Sequence, residues 1–280
     1  MLTCENKAHT VFAKFPSISK YVKDILVFTP LPFTSIHAPQ LHHFPNGYSG
    51  IYIQQQDNSL QLQVQSKLFS LPRLFLYGQN TFPKKSIFKI RHKLIIIHLY
   101  PESLKLLFKV NPSHWIDEYI DLVKLNDPIT EAFYNRFYSH ENLNDQLTII
   151  AHLIEQKAKD ADPVKYGKSM LNLIEQQPGL TVSELSKKLC TTPRTLQRVF
   201  KSQLGLPPST YLQIVQFQKA LRALHTQPAK PLSQVAYENY YADQSHLNRA
   251  FKKYTNITPA AFLRMKGPNS LTLYNPQTDQ

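Results

Sequence analysis

Seventeen residues near the C-terminal end of this chain occur twice in the same pattern. "LQRVFKSQLGLPPSTYL" at 196–212 aligns with "LNRAFKKYTNITPAAFL" at 247–263, an offset of 51 residues. Both copies read Leu-x-Arg-x-Phe-Lys, then three residues, Gly or Asn, an aliphatic residue, one further residue and Pro. A duplicated structural unit explains this self-similarity better than chance. A second short amphipathic segment precedes each copy, "TVSELSKKL" at 181–189 and "PLSQVAYEN" at 231–239. Each pair reads as helix, short turn, helix. Leu185, Leu189, Leu196 and Phe200 face inward in the first, and Val235, Ala236, Leu247 and Phe251 in the second. That is the layout of a helix-turn-helix.

The expected caps agree with it. Thr192-Pro193 supplies an N-cap followed by Pro at the first helical position, and Asp243 is a strong N-cap for the second copy. The second helices should therefore span about 193–203 and 244–254. Their exposed sides carry Arg194, Gln197, Arg198 and Lys201 in one, and Gln244, Ser245, His246, Asn248, Arg249, Lys252 and Lys253 in the other. Exposed polar residues near a helix start are by default solvent-facing. This set also suits duplex DNA: Arg pairs bidentately with guanine, Gln or Asn with adenine, and Lys meets phosphate. Asp243, the one acid of the second helix, is spent on the cap.

Charge points the same way. The chain has a formal net charge of +13, and between Pro163 and Pro268 fifteen Lys or Arg face four acids. A basic field concentrated in one third of a chain attracts polyanions, of which nucleic acid is the commonest in a cytoplasm. A solvated basic surface is the bland alternative.

Upstream, the period changes. "YVKDILVF", "SGIYIQQQ", "LQLQVQ", "RLFLYGQ" and "KLIIIHLY" between 21 and 100 read as strands of a small sheet or barrel. "SLKLLFKV", "HWIDEYIDLVKL", "ITEAFYNRFYS", "LNDQLTIIAHLIEQKAK" and "PVKYGKSMLNLIEQ" read as helices. The polar "EQKAKDADP" at 155–163, with Asp162-Pro163 as cap and first position of a new helix, is the best linker. The expected fold is thus α+β and multidomain. A β-rich sensing or dimerisation domain with a helical connector covers 1–160, an all-α domain with two helix-turn-helix units covers 161–268, and 269–280 is a tail. No apolar run approaches the ~20 residues of a membrane span. The N-terminus lacks an export pattern, and Cys4 and Cys190 read as reduced bystanders, so a cytoplasmic location without membrane attachment is expected.

Residues 163–266 resemble the DNA-binding domain of the AraC/XylS family of bacterial transcription regulators, which has two helix-turn-helix units joined by a long helix. "VAYENYYADQSHLNRAFKKYTNITPAAFLR" is similar to that family's C-terminal signature through Ala236, Asp243 to His246, Arg249, Phe251, Lys252, Thr258, Pro259 and Arg264. "STYLQIVQFQKALRALHT" at 209–226 fits the joining helix, whose length at ~1.5 Å per residue can set two units about one DNA turn, ~34 Å, apart. "HFPNGYSGIYI", "LYGQNT" and "HLYPESLKLLF" resemble a β-rich domain that precedes this module in some regulators. Two positions depart from the family: Tyr240 and Asn256 stand where it usually has Gly. The second unit is one residue longer than the first between its helices, so its turn needs an extra bend: either Tyr240 takes a left-handed conformation, or the turn follows another path with an aromatic ring of "NYYADQ" packed over the unit. The resemblance implies a sequence-specific, non-enzymatic regulator that binds double-stranded DNA and needs no cofactor. RNA polymerase, a small-molecule effector and a second copy are its further expected partners.

The rival class is a β-barrel that binds a small molecule or acts as a metal-dependent enzyme, with the helical domain as an appendage; an architectural protein indifferent to sequence is a third. His92, His98 and Glu102, or His37, His42 and His43, would carry a metal, but no close His-x-His pair supports it. Phe33, Phe44, Tyr48, Tyr52, Phe75 and Tyr77 could surround an apolar ligand or fill a core. Leu143, Leu147, Ile150 and Ile154 form a stripe that suits either a dimer or its own domain.

Overall fold

The computed structural model describes residues 2–30, 40–56, 60–64, 67–88, 93–161, 167–264 and 270–272. The N-terminal half contributes strands β1 (Leu2–Asn6), β2 (Val22–Pro30), β3 (Gln40–His43), β4 (Ser49–Gln54), β5 (Leu60–Val64), β6 (Lys67–Ser70), β7 (Leu74–Tyr77), β8 (Lys84–Phe88), β9 (Leu94–Leu99) and β10 (Tyr119–Asp121). Its helices are α1 (Ala8–Lys14), α2 (Ser103–Phe108), α3 (Pro128–Tyr138) and α4 (Leu143–Ala158).

Two sheets form, one in the order β1-β2-β9-β4-β7-β10 and the other with β3-β8-β5-β6, and every pairing among these strands is antiparallel. Strands β4, β7 and β9 are buried along their whole length, as expected of central strands covered on both faces. Successive side chains alternate between those faces. Ile51, Ile53, Leu76, Ile95 and Ile97 join Leu147, Ile150 and Ile154 of α4 in one core. Tyr52, Phe75, Tyr77, Leu94 and Ile96 join Leu62 of the second sheet in another. The connector helices therefore lie on the first sheet, and the apolar stripe of α4 is consumed there, with Leu143 packed at its margin.

One helix expected from the sequence is absent. "HWIDEYIDLVKL" instead gives short 3-10 turns at Pro112–His114 and Leu122–Leu125 with β10 between them. Asp117 takes a left-handed φ of 61°, which a right-handed helix cannot contain. Asp121 accepts a hydrogen bond from Val123 N at 3.1 Å, capping the second turn.

The C-terminal half is α5 (Gly167–Gln176), α6 (Val182–Lys188), α7 (Pro193–Leu204), α8 (Pro208–Thr226), α9 (Leu232–Glu238), α10 (Gln244–Thr255) and α11 (Pro259–Arg264). They enclose a separate core built on Leu185, Leu196, Phe200, Phe217, Leu247 and Phe251. The expected linker turn at Asp162-Pro163 lies outside the described residues. Phe44, from the N-terminal half, enters the helical core, its ring 6.4 Å from that of Phe262. Strand β11 (Ser270–Thr272) pairs in parallel with β3. The two halves also meet through Tyr48 OH, which donates to Glu175 at 2.9 Å, and Gln218 Nε2, which donates to the Pro45 carbonyl at 2.6 Å.

Candidate nucleic-acid interface

The turn between α6 and α7 and the turn between α9 and α10 are built alike. Cys190 and Tyr240 occupy equivalent positions just past α6 and α9, with left-handed φ of 49° and 62°. Thr191 N donates to the Ser186 carbonyl and Tyr241 N to the Ala236 carbonyl, each at 2.9 Å. This is the bond that a left-handed residue after a helix closes. The expectation that the extra residue of the second unit demands the left-handed bend is thus corrected: the shorter first turn has the same bend. The additional residue, Ala242, lies after it, between Tyr241 and the cap Asp243. Tyr240 bears the strained conformation, and its largely exposed ring stands over Gly179 in the loop that leads into α6. A Cβ added at Gly179 would fall 2.5 Å from Tyr240 Cγ. At the far ends of the two second helices, Gly205 (φ 81°) and Asn256 (φ 62°) are again equivalent left-handed caps.

Local chemistry fixes where each second helix starts. Thr192 Oγ1 accepts from Thr195 N at 3.2 Å, with Pro193 at the first helical position. Asp243 accepts from His246 N at 2.7 Å. Such caps are worth about 1 kcal/mol each. Burial of Leu196, Phe200 and Leu204 then fixes the rotation of α7, and burial of Leu247, Phe251 and Tyr254 that of α10. Their opposite faces are left to solvent.

On α7 those faces carry Arg194, Gln197, Arg198 and Lys201, all exposed. On α10, Gln244, Ser245, His246, Arg249, Lys252 and Lys253 are exposed. Asn248 differs from the expectation. It is half-buried at the edge of the packed face, and its side-chain oxygen is buried without a hydrogen-bond partner. One step from Leu247 is about 100° around the helix, which leaves Asn248 beside the core rather than opposite it. His246 stands edge-on to the Tyr241 ring, 5.2 Å between centroids, and Lys253 Nζ donates to Gln213 Oε1 of α8 at 3.1 Å. Helix α8, with 19 residues, is about 28 Å long at ~1.5 Å per residue and packs against both α7 and α10.

Sequence reasoning missed the cleft between α8 and α10, of about 360 Å³, where Gln213, Gln216 and Tyr241 join His246, Arg249 and Lys253. Gln216 is held by donating to the carbonyls of Asn239 and Tyr240 at 3.0 and 2.9 Å. Only a three-dimensional contact unites these residues, so no sequence spacing announces them. Two histidines of the rival reading are engaged elsewhere: His98 Nδ1 lies 2.6 Å from Asp24 Oδ1, and His43 Nδ1 2.9 Å from the Tyr52 hydroxyl; the His42 ring lies 6.2 Å from that of Phe44. His37 and His92 lie outside the described residues. No group of three metal-ligating side chains occurs among the described residues. Tyr52, Phe75 and Tyr77 pack on one another, Tyr52 and Phe75 stacked at 4.9 Å, and so fill the core; Phe33 is not among the described residues.

Two capped helices presenting acid-free basic faces, each braced by a partner helix and joined by α8, define a double helix-turn-helix DNA-binding domain. Residues 185–265 match the family model described as a helix-turn-helix domain. Over 80 residues the chain is 28% identical to "HTH-type transcriptional regulator ArgR" of Pseudomonas aeruginosa, covering 29% of this chain and 24% of that protein. Over 93 residues it is 32% identical to "Probable transcriptional regulator LumQ" of Photobacterium leiognathi, covering 32% and 37%. The chain thus spans about a quarter to a little over a third of the curated relatives it matches. Among solved structures, ToxT from Vibrio cholerae aligns over 87% of this chain and 98% of its own, at 12% identity and a TM-score of 0.47. The C-terminal domain of the response regulator yesN from Fusobacterium nucleatum aligns over 34% and 95%, at 28% identity and a TM-score of 0.33. The assignment rests on the sequence matches to the helical domain.

Proposed function

We propose that the whole chain is a sequence-specific DNA-binding transcription regulator, not an enzyme, acting in the cytoplasm. The observation that carries this reading is the pair of exposed faces on α7 and α10, which hold six Arg or Lys and no acid between Arg194 and Lys253 on those two helices. In this reading the two helices enter successive major grooves on one face of the duplex. Arg194, Gln197, Arg198, Ser245, His246 and Arg249 meet base edges, while Lys201, Lys252 and Lys253 meet phosphates. Gln244, exposed in the first turn of α10, also meets the DNA, and Asn248, at the edge of the packed face, has a positioning role. The N-terminal domain, with a boundary near residue 160, senses or dimerises, and RNA polymerase is the further partner that regulation of transcription requires.

An effector has a natural place between the domains. A cleft of about 270 Å³ there is bordered by the cations Lys23, Lys219 and Arg222 and by the carboxylate of Glu175, with Tyr48 and Tyr211 beside them. Glu175 is engaged by the Tyr48 hydroxyl, and the net positive rim suits a small molecule with an anionic group. A thermal-shift screen of small carboxylates and phosphates, repeated on Lys219→Ala, tests this; absence of any shift removes the effector from the scheme.

The function itself is tested by binding the full chain to genomic fragments in the presence of random-sequence DNA at physiological salt. Retention of particular fragments against roughly a thousandfold excess of competitor is expected. Equal affinity for all fragments would instead make the protein an architectural binder.

A further inference from the structure

The outward face of α7 does not end in open solvent. Beyond Arg198 and Lys201 it meets a wall made by the N-terminal domain, and a cleft of about 490 Å³ separates the two. Lys105 of α2, Lys109 just past it, and Arg198 and Lys201 of α7 line this cleft, together with Asn111 and Ser113. No carboxylate is among its described lining residues. Four cations gathered without a counter-charge repel one another, and an anion entering the cleft relieves that repulsion.

The wall is held firmly against the helix. Lys105 Nζ donates to the Ser202 carbonyl at 3.1 Å, in the last turn of α7, and Ser113 Oγ adds a second bond, at 2.9 Å, to the Lys201 carbonyl, which already accepts from Gly205 N. Pro112 packs so closely on Gly205 that a Cβ there would lie 2.7 Å from the Pro112 carbonyl oxygen. Lys109 Nζ donates to the Asp160 carbonyl, which fixes its position at the cleft mouth. Each ammonium group has three donors, so these bonds leave further donors on both lysines.

A helix about 10–12 Å wide fills a major groove about 12 Å across, so whatever flanks its end meets the phosphate backbone at the groove edge. We propose that Lys105 and Lys109 form a backbone-phosphate site for the same duplex that α7 reads, making the N-terminal domain part of the DNA-binding surface. This rests on the DNA-binding reading above. It adds a sequence-independent contribution from the N-terminal domain, fixed in register with the first reading helix.

The test uses the full chain, a duplex enriched from a random library by the wild-type protein, and a random-sequence duplex of equal length. Affinity is measured by fluorescence anisotropy across about 50–200 mM salt. For Lys105→Gln/Lys109→Gln, the proposal expects the slope of log affinity against log salt to fall by about one to two, with ~10-fold weaker binding to both duplexes and unchanged discrimination between them. Lys109→Glu alone should show the same sign. Lys14→Gln, which removes one charge from α1 outside the cleft, should leave the slope as in wild type. Thermal melts confirm that each variant is folded, and Lys109→Glu supplies the answer if the double variant is not. An unchanged slope in both cleft variants would overturn the proposal, as would tighter binding, which would mean that the lysines hold the wall in the way of DNA. If wild type does not prefer the enriched duplex, the DNA-reading assignment fails instead. If preference persists while the slope ignores the lysines, only the present proposal fails.

Discussion

Arg198 and Arg249 occupy equivalent positions in the two repeats and are both exposed on faces whose rotation is fixed by buried Leu and Phe. Replacing either by Ala should cost ~1–3 kcal/mol on the preferred site and relax discrimination there. Lys252→Ala or Lys253→Ala should weaken all sequences alike and lower the salt slope by about one. Equilibrium titration on matched and mismatched duplexes separates the two kinds of loss; an Arg249→Ala protein of undiminished affinity would remove α10 from the interface. Left-handed Cys190 and Tyr240 make a second contrast. Cys190 is exposed, so Cys190→Gly relieves roughly 1–2 kcal/mol of strain against the ~0.5–1 kcal/mol entropic cost of glycine, and the melting temperature should rise slightly. Tyr240→Gly also loses the ring over Gly179; its fold should persist and its DNA affinity change by less than about tenfold. Normal stability with abolished specific binding in that variant would make the tyrosine itself a contact. His43 gives a pH signature: burial first, then neighbouring Lys84, pushes it down to about 3. The folded state therefore refuses a proton that the unfolded chain accepts near pH 6.5. Its contribution is complete above pH 6.5 and is lost as the pH falls towards 3. Denaturant melts at stepped pH should show that decline, and His43→Gln should flatten it.

At the scale of elements, the double helix-turn-helix was legible because it is local and written twice. The repeat, the caps at Thr192 and Asp243, and the inward Leu and Phe positions each point to helices α7 and α10, which the structure extends by one residue beyond the expected ends. Asp243→Ala should accordingly cost about 1 kcal/mol in a thermal melt, and an unchanged melt would deny the cap its role. The five apolar strands β2, β4, β5, β7 and β9 were legible for the same reason, as continuous or alternating runs. Strands β1, β3, β6, β8 and β10 were not, because short polar strands are defined by the partner they pair with, as β8 is by β3 and β5. Between Trp115 and Leu125 the apolar spacing suits a helix, yet left-handed Asp117 and the pairing of β10 with β7 override it. The cleft at Tyr241 was not legible because Gln213 and Gln216 reach it from α8, far away in sequence.

The whole molecule is less divisible than its sequence suggests. Its charge and its repeats separate near residue 160, yet Phe44 sits in the helical core and the N-terminal domain caps the end of α7. A fragment of residues 161–280 should still fold and bind DNA as a monomer, since its two units supply two groove contacts, but with a lower melting temperature than the same domain in the full chain. Failure to fold would move the proposed boundary, and a folded fragment without DNA affinity would deny the function. The most direct test of the central claim is selection of duplexes bound by the full chain from a random-sequence library, followed by sequencing. Two α8-linked reading helices predict two blocks of base preference whose centres are about 10.5 base pairs apart, one helical turn. Enrichment of a single block, or of no sequence at all, would contradict the assignment of α7 and α10 to adjacent major grooves.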